Sequence, residues 1–208
     1  MRGKFITLEG GEGAGKTTQI KLIENFLQQK GIKVRLTREP GGVRISEVIR
    51  NLLFDPDLGD NICIETEILL FYAARAQWLK ELLKPTLDEG TWVVSDRCFD
   101  TGYVYQGYIK GGSMKWLEEL TKRVMGTYMP DLTFFVDIPV ETVIKRLSIR
   151  TGEENRHDTA GYHFHRKARE GYLFLMDKYP NRIVQINGNQ NKEKVFDEIV
   201  SAIEKKLM

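Results

Sequence analysis

Five short runs along the chain are rich in apolar and β-branched residues: KFITLE (4–9), KVRLT (33–37), WVVSD (92–96), LTFFVD (132–137) and RIVQIN (182–187). Their length and composition predict strands. Between them the apolar positions recur at helical spacing. In TTQIKLIENFLQQKG (17–31), Ile20, Ile23 and Leu27 share one face, and Gly31 suits the helix end. The stretch 64–84, IETEILLFYAARAQWLKELLK, reads as a long helix apolar on more than one face. Such a helix is covered on several sides, by core or by a partner subunit. Residues 150–161, RTGEENRHDTAG, are polar and without period, and read as a mobile loop. Strands alternating with helices predict an α/β fold: a five-stranded parallel sheet between layers of helices. With no long linker and no internal repeat, residues 1–208 read as one domain.

Ligands of such sheets sit beyond the carboxyl ends of the strands. The polar chemistry of this chain gathers there: LEGGEGAGKT ends the first strand, TREPGG the second and DR the third. The first of these contains GGEGAGKTT (10–18), which fits the phosphate-binding P-loop: Gly10, four residues, then Gly15, Lys16 and Thr17. Glycines let successive N–H groups turn toward an anion, and the helix start behind them adds its dipole. Gly10 to Thr18 (Gly11, Glu12, Gly13 and Ala14 included) are the candidate ATP phosphate site. Lys16 would reach the β and γ phosphates, and the Thr17 hydroxyl would ligate Mg²⁺. No arginine stands in the loop, so the mobile positive charge that phosphoryl transfer needs must come from elsewhere.

Charge narrows the partners. With 31 basic and 29 acidic residues the net charge is +2, which does not suggest a nucleic-acid binder. No apolar run approaches a membrane span, and MRGK leads into a strand without a signal-peptide region. Cys63 and Cys98 form no C-x-x-C pair, so a reducing cytoplasm is the expected compartment.

SDRCFDTGYVYQG (95–107) carries the second cluster. Asp96 ends a strand, where a carboxylate could hold a magnesium-bound water beside the P-loop. Arg97 could clamp a phosphate bidentately. Thr101, Tyr105 and Gln106 add groups that read a small polar ligand. Taken alone, Asp96-Arg97 is also what a surface ion pair at a strand end looks like. Phe71, four residues before Arg75 on the same helix face, is equally what a core ring looks like.

LEGGEGAGKTT, TREPGG, LLFYAARAQ and DRCFDTGYVYQG, in this order, resemble the bacterial thymidylate kinase family, and NRHDTAGYHFHRKAREGYL continues the match into the family's lid and following helix. The resemblance implies a P-loop kinase that phosphorylates dTMP to dTDP with ATP and Mg²⁺ for dTTP synthesis, as a cytoplasmic homodimer. It implies that Glu12 lies near the dTMP 3′-hydroxyl and the phosphates. Arg38 and Arg97 would hold the dTMP phosphate, with Glu39 and Pro40 in a tight turn against it. A cis peptide is expected at Glu39–Pro40 in that turn. Phe71 would stack on thymine, Arg75 would donate to its carbonyl edge, and Thr101 and Gly102 would read the rest of the base. Tyr105 would crowd the sugar 2′ position with Gln106 beside it, and Tyr172 would close over the base. The catalytic charge would be supplied by Arg156 or Arg150 in a lid of about residues 146–161, with Arg146 a third candidate.

Thr101 and Val104 stand where the family commonly has Ser and Ala, and the valine is expected to add bulk near the sugar. Cys98 stands where a larger ring is common. His163 and His165 point about 200° apart on a helix and cannot share a metal-ligand face; with His157 they are expected to face solvent or pack on the lid. The rival class is a slow nucleotide-hydrolysing switch, but Asn-Lys-x-Asp is absent; NKEK (191–194) lacks the aspartate.

Overall fold

Parallel pairing around the first strand sets the frame. In this computed structural model, which describes residues 2–55, 57–58, 61–149 and 161–208, the strands are β1 (Phe5–Glu9), β2 (Val34–Arg38), β3 (Trp92–Asp96), β4 (Leu132–Asp137) and β5 (Ile183–Asn187). They lie in the order β2-β3-β1-β4-β5, each neighbouring pair parallel. The helices are α1 (Lys16–Gln29), α2 (Arg44–Leu53), α3 (Ile64–Trp78), α4 (Lys84–Asp88), α5 (Phe99–Gly102), α6 (Met114–Met125), α7 (Val140–Ser148), α8 (Tyr162–Lys178) and α9 (Lys192–Leu207). The five predicted strands shift by no more than one residue at either end. Among the described residues no helix is long and apolar enough to cross a membrane.

β1 and β4 are buried along their whole length, as central strands covered on both faces must be. Ile6 and Leu8 join Ile20, Ile23 and Leu27 of α1 and Val195, Ile199 and Ile203 of α9. Phe5 points the other way, into a core shared with Trp78, Phe99, Phe135 and Tyr172. The strand's period of two therefore sends Thr7 and Glu9 to the same side as Phe5. Gly31, at a positive φ of 74°, ends α1 as its position suggests.

The long helix expected over 64–84 runs further, to Asp88, through a wider π-helical turn at Leu79–Leu83. Pro85 follows directly; it has no N–H to give, and a widened turn lets the helix continue past it. A second π-helical turn, Tyr103–Ile109, extends α5.

Polar groups also tie the layers. Asp100, fully buried, accepts from Arg182 at 2.6 and 2.7 Å, and Arg182 also donates to Thr133 at 2.8 Å. Thr133 in turn meets Thr7 at 2.7 Å. These bonds join α5 to the sheet directly behind the DR segment. Removing one partner of such a pair strands the other charge. Asp100→Ala should therefore cost about 3–5 kcal/mol of unfolding free energy, read by urea denaturation. A loss below about 1 kcal/mol, the size of an exposed pair, would show that the pair does not hold the layers together.

Candidate active site

The loop after β1 is shaped by its glycines. Gly10 has φ 141°, and a Cβ there would come within 2.6 Å of the Val136 carbonyl oxygen. Gly15 is left-handed at φ 90° and starts α1, so the first N–H groups of that helix open onto the loop. The Lys16 ammonium bridges the carbonyls of Gly10 at 3.1 Å and Gly11 at 2.9 Å. Burial, then the nearby Arg97, lowers its pKa from the ordinary lysine value.

Thr17 Oγ1 lies 3.4 Å from Asp96 Oδ2, so α1 and the end of β3 place two hard oxygens face to face. That pair fits Mg²⁺, which takes one or two protein oxygens and fills the rest of its shell with phosphate and water. Among the described residues no three His, Cys, Asp or Glu side chains converge as a metal cluster.

Arg97 follows at φ 70°, a left-handed backbone that is uncommon without glycine. Its side chain donates to Glu12 at 2.6 Å, to the Gly10 carbonyl and the Tyr172 hydroxyl at 3.1 Å each, and to Thr101 at 3.2 Å. Burial disfavours the guanidinium, but Glu12, Tyr105, Tyr172 and Asp96 together hold its pKa well above the ordinary value.

The segment after β2 forms the opposite wall. Glu39–Pro40 is cis, as the TREPGG pattern suggests. Arg38 is half-exposed and pairs with Glu47 at 2.9 Å, while Glu47 also accepts from the Gly42 N–H at 2.7 Å. Glu39 turns inward and forms a buried ion pair with Arg75. Cys98 packs over that pair, its small side chain leaving the carboxylate room, and burial pushes its thiol pKa well up.

These segments enclose a cleft of about 500 Å³. Glu12 to Thr18, Arg38, Glu39, Pro40, Phe71, Asp96, Arg97, Thr101, Tyr105 and Gln106 line it. Gly10, Gly11, Gly102, Arg75 and Tyr172 are not among the lining residues. Gly10 and Gly11 instead hold Lys16, and Tyr172 reaches Arg97 from behind. The Arg75 guanidinium stacks over Tyr72 at 4.4 Å, and its Nη1 has no hydrogen-bond partner among the described residues. Gln106 Oε1 is likewise buried and unpartnered, its Nε2 donating to Glu67 at 2.6 Å.

Arg50 and Phe54 also line the cleft, and sequence reasoning passed over both. Arg50 donates to the Pro40 carbonyl at 2.9 Å and lies 4.8 Å over the Phe54 ring, which meets Phe71 edge-on. The available signal was their i, i+4 spacing on a strongly amphipathic helix.

Some expectations change. Val104 is fully buried and does not line the cleft; Gly171 of α8 gives its extra methyl groups room. Its bulk is thus absorbed by helix packing rather than set against a sugar. Arg146 donates to the carbonyls of Gly13 at 2.9 Å and Gly188 at 3.2 Å, bracing the back of the loop. Arg150, Arg156 and His157 lie outside the described residues. His163 is exposed, whereas His165 is buried against Phe164. Asn191 of NKEK caps α9, accepting from the Lys194 N–H at 2.9 Å.

The site thus gathers an anion-binding loop, two hard oxygens and three arginines around one cleft, an arrangement suited to holding two phosphates end to end. Comparison with known proteins agrees. The family described as thymidylate kinase matches residues 8–199. The thymidylate kinase of Clostridium novyi (strain NT) is 45% identical over 95% of this chain and 97% of its own. That of Marinomonas sp. (strain MWYL1) is 42% identical over 99% of this chain and 96% of its own. The crystal structure of thymidylate kinase from Ehrlichia chaffeensis superposes with a TM-score of 0.78 at 30% identity, covering 98% of this chain and 99% of that one.

Proposed function

The chain belongs to the thymidylate kinase family and phosphorylates dTMP to dTDP with ATP as donor; we propose that it does so by direct transfer between phosphates aligned by Lys16, Arg38 and Arg97. The observation that carries this reading is the cleft itself, in which the phosphate loop and the arginines of the β2 and β3 ends face one volume.

The acceptor is a phosphate monoester whose second pKa is near ~6, so it is largely dianionic at neutral pH. It needs no general base. What remains is to align two anions and neutralise the charge that builds between them. Arg38 and Arg97 hold the dTMP phosphate, and Arg50 adds a third guanidinium on that wall. Lys16 turns from the loop carbonyls to the β and γ phosphates of ATP, and the loop N–H groups from Gly11 to Thr18 cradle them. Thr17, and Asp96 through water, would hold Mg²⁺, which draws charge from the β and γ oxygens when bound. Glu12 fixes Arg97 and lies toward the dTMP 3′-hydroxyl. Water must be kept from the γ-phosphate, and closure of the lid over residues 146–161 would do this.

On the base, Phe71 offers a face, while Tyr172 steadies Arg97 from behind the cleft. Arg75 Nη1 has a donor to give and Gln106 Oε1 an acceptor, which together match a carbonyl next to a ring N–H. Thymine and uracil carry that pair; cytosine carries the reverse. Thr101 and Gly102 lie beside Gln106, and Tyr105 would crowd a 2′-hydroxyl. With ATP held constant, kcat/KM should be highest for dTMP, lower for dUMP, and lower by about 10³ or more for dCMP, since a mismatched polar pair is costly. Thymidine should not be phosphorylated. ATP hydrolysis indifferent to every monophosphate would instead favour a nucleotide switch.

The lid arginine is argued from need: no arginine stands in the P-loop, and Arg146 is committed to loop carbonyls. Arg156 in NRHD is the first choice and Arg150 the second. The double Arg150→Ala, Arg156→Ala variant should lose about 10³ or more in kcat with dTMP binding little changed. Normal turnover would place the charge elsewhere, and the single variants assign it.

The whole chain would work as one kinase domain, in the cytoplasm, without nucleic acid or membrane, and as a homodimer. Ile45, Val48 and Leu52 form an exposed apolar row on α2, with Leu69 of α3 also exposed. A second copy is the occupant proposed for this face. Sedimentation should show twice the chain mass, and Val48→Glu with Leu52→Glu should shift it to one. A monomeric parent would remove the dimer.

A further inference from the structure

The geometry points to Glu9 as a positioning residue for Arg97: one carboxylate fixes both the backbone that follows Arg97 and the two hydroxyls that hold its guanidinium. This rests on the reading of Arg97 as the holder of the dTMP phosphate.

Glu9 ends β1 and is 1% exposed. The period of the strand turns it away from α1 and toward α5 and α8. A carboxylate in that place must be compensated, and three donors meet it from different elements. The Cys98 N–H lies 2.7 Å from Oε1, while the hydroxyls of Thr101 and Tyr172 lie 2.6 and 3.2 Å from Oε2. An ionised carboxylate only accepts. The two hydroxyls also lie 3.0 Å from each other, and with Glu9 taking a hydrogen from this pair their lone pairs are left to Arg97 Nη1 at 3.2 and 3.1 Å. A neutral acid or an amide carries a donor of its own and no longer fixes that direction.

The backbone contact matters equally. Arg97 keeps its left-handed conformation because its neighbours over-determine it. Its N–H donates to the Leu8 carbonyl at 3.0 Å, and its carbonyl accepts from Ser95 Oγ at 2.7 Å. The next N–H, that of Cys98, is the one bound to Glu9. Removing the carboxylate loosens both ends of the residue that must meet the phosphate.

Burial first, then the Asp100 carboxylate, pushes the Glu9 pKa up to about 7, against the pull of Thr101, Arg97 and the Cys98 N–H. Other titratable groups that act on it are Lys16 from α1, Arg182 from the start of β5, Tyr105, Tyr172 and the Cys98 thiol. The competent form is the ionised one. In the parent, kcat/KM for dTMP should rise with pH through a limb near 7, besides the limb near ~6 from the substrate phosphate.

The test is Glu9→Gln, which keeps the shape. The KM for dTMP should rise about 10-fold or more with the KM for ATP within about two-fold, since hydrogen bonds to a charged group are being misdirected. The upper pH limb should vanish. A dTMP KM within about two-fold of the parent with the limb intact overturns the inference, even if the melting temperature falls. Should Glu9→Gln not fold, Tyr172→Phe decides, because the ring keeps its stack on Phe135 and loses only the hydroxyl. A raised dTMP KM supports the relay and an unchanged one overturns it. Arg97→Ala separates the two levels. If it leaves dTMP KM unchanged, the reading of Arg97 fails and the inference with it. If it raises KM while Glu9→Gln does not, the positioning role alone fails.

Discussion

A guanidinium that is largely out of water must be paired, and Arg97, 14% exposed, is the charge around which this site is built. Its Nη1 and Nη2 reach the P-loop through Glu12 and the Gly10 carbonyl, α5 through Thr101, and α8 through Tyr172. The P-loop and α8, both distant in sequence, and the neighbouring α5 are thereby referred to one fixed cation. The consequence is preorganisation: the group proposed to meet the acceptor phosphate is already oriented before substrate arrives, so less reorganisation would accompany transfer.

Two further buried pairs flank it, Glu39 with Arg75 and Asp100 with Arg182. Buried ion pairs contribute little net stability, because desolvation offsets the attraction. Here all three pairs converge on the short segment from Arg97 to Thr101, where the third strand turns into a helix. Phe99 and Cys98 anchor that segment in the core, but apolar contact alone leaves its polar groups undirected. Placing it by charge fixes direction as well as distance, and direction is what a phosphate clamp requires.

The fold was legible because the strands are short apolar runs and each carries its chemistry at its carboxyl end. The P-loop, the DR step and the cis bond of TREPGG were legible because each is local. What escaped depends on neighbours distant in sequence. Val104 looked like added bulk beside the sugar, yet Gly171, 67 positions later in the sequence, is what makes room for it. Arg50 and Phe54 carry no motif; only the packing of α2 against α3 brings them to Phe71. Glu9 read as the last residue of a strand, and nothing local says that a carboxylate there would be met by a helix start and a tyrosine more than 160 residues away.

Transfer between two anions sets a limit on what a rigid scaffold can do. Cations close enough to stabilise the transferring group would also hold both nucleotides after the reaction, if all of them were fixed. This protein divides the work. Arg97 and Arg38 belong to the sheet ends, and Lys16 begins a helix, so the anchors proposed for the acceptor and the donor phosphates are both fixed in the fold. In the proposed mechanism the remaining charge is supplied by Arg150 or Arg156. Arg146, one turn before Arg150, is tied to the carbonyls of Gly13 and Gly188. The last turns of α7 are thereby fastened to the phosphate loop itself.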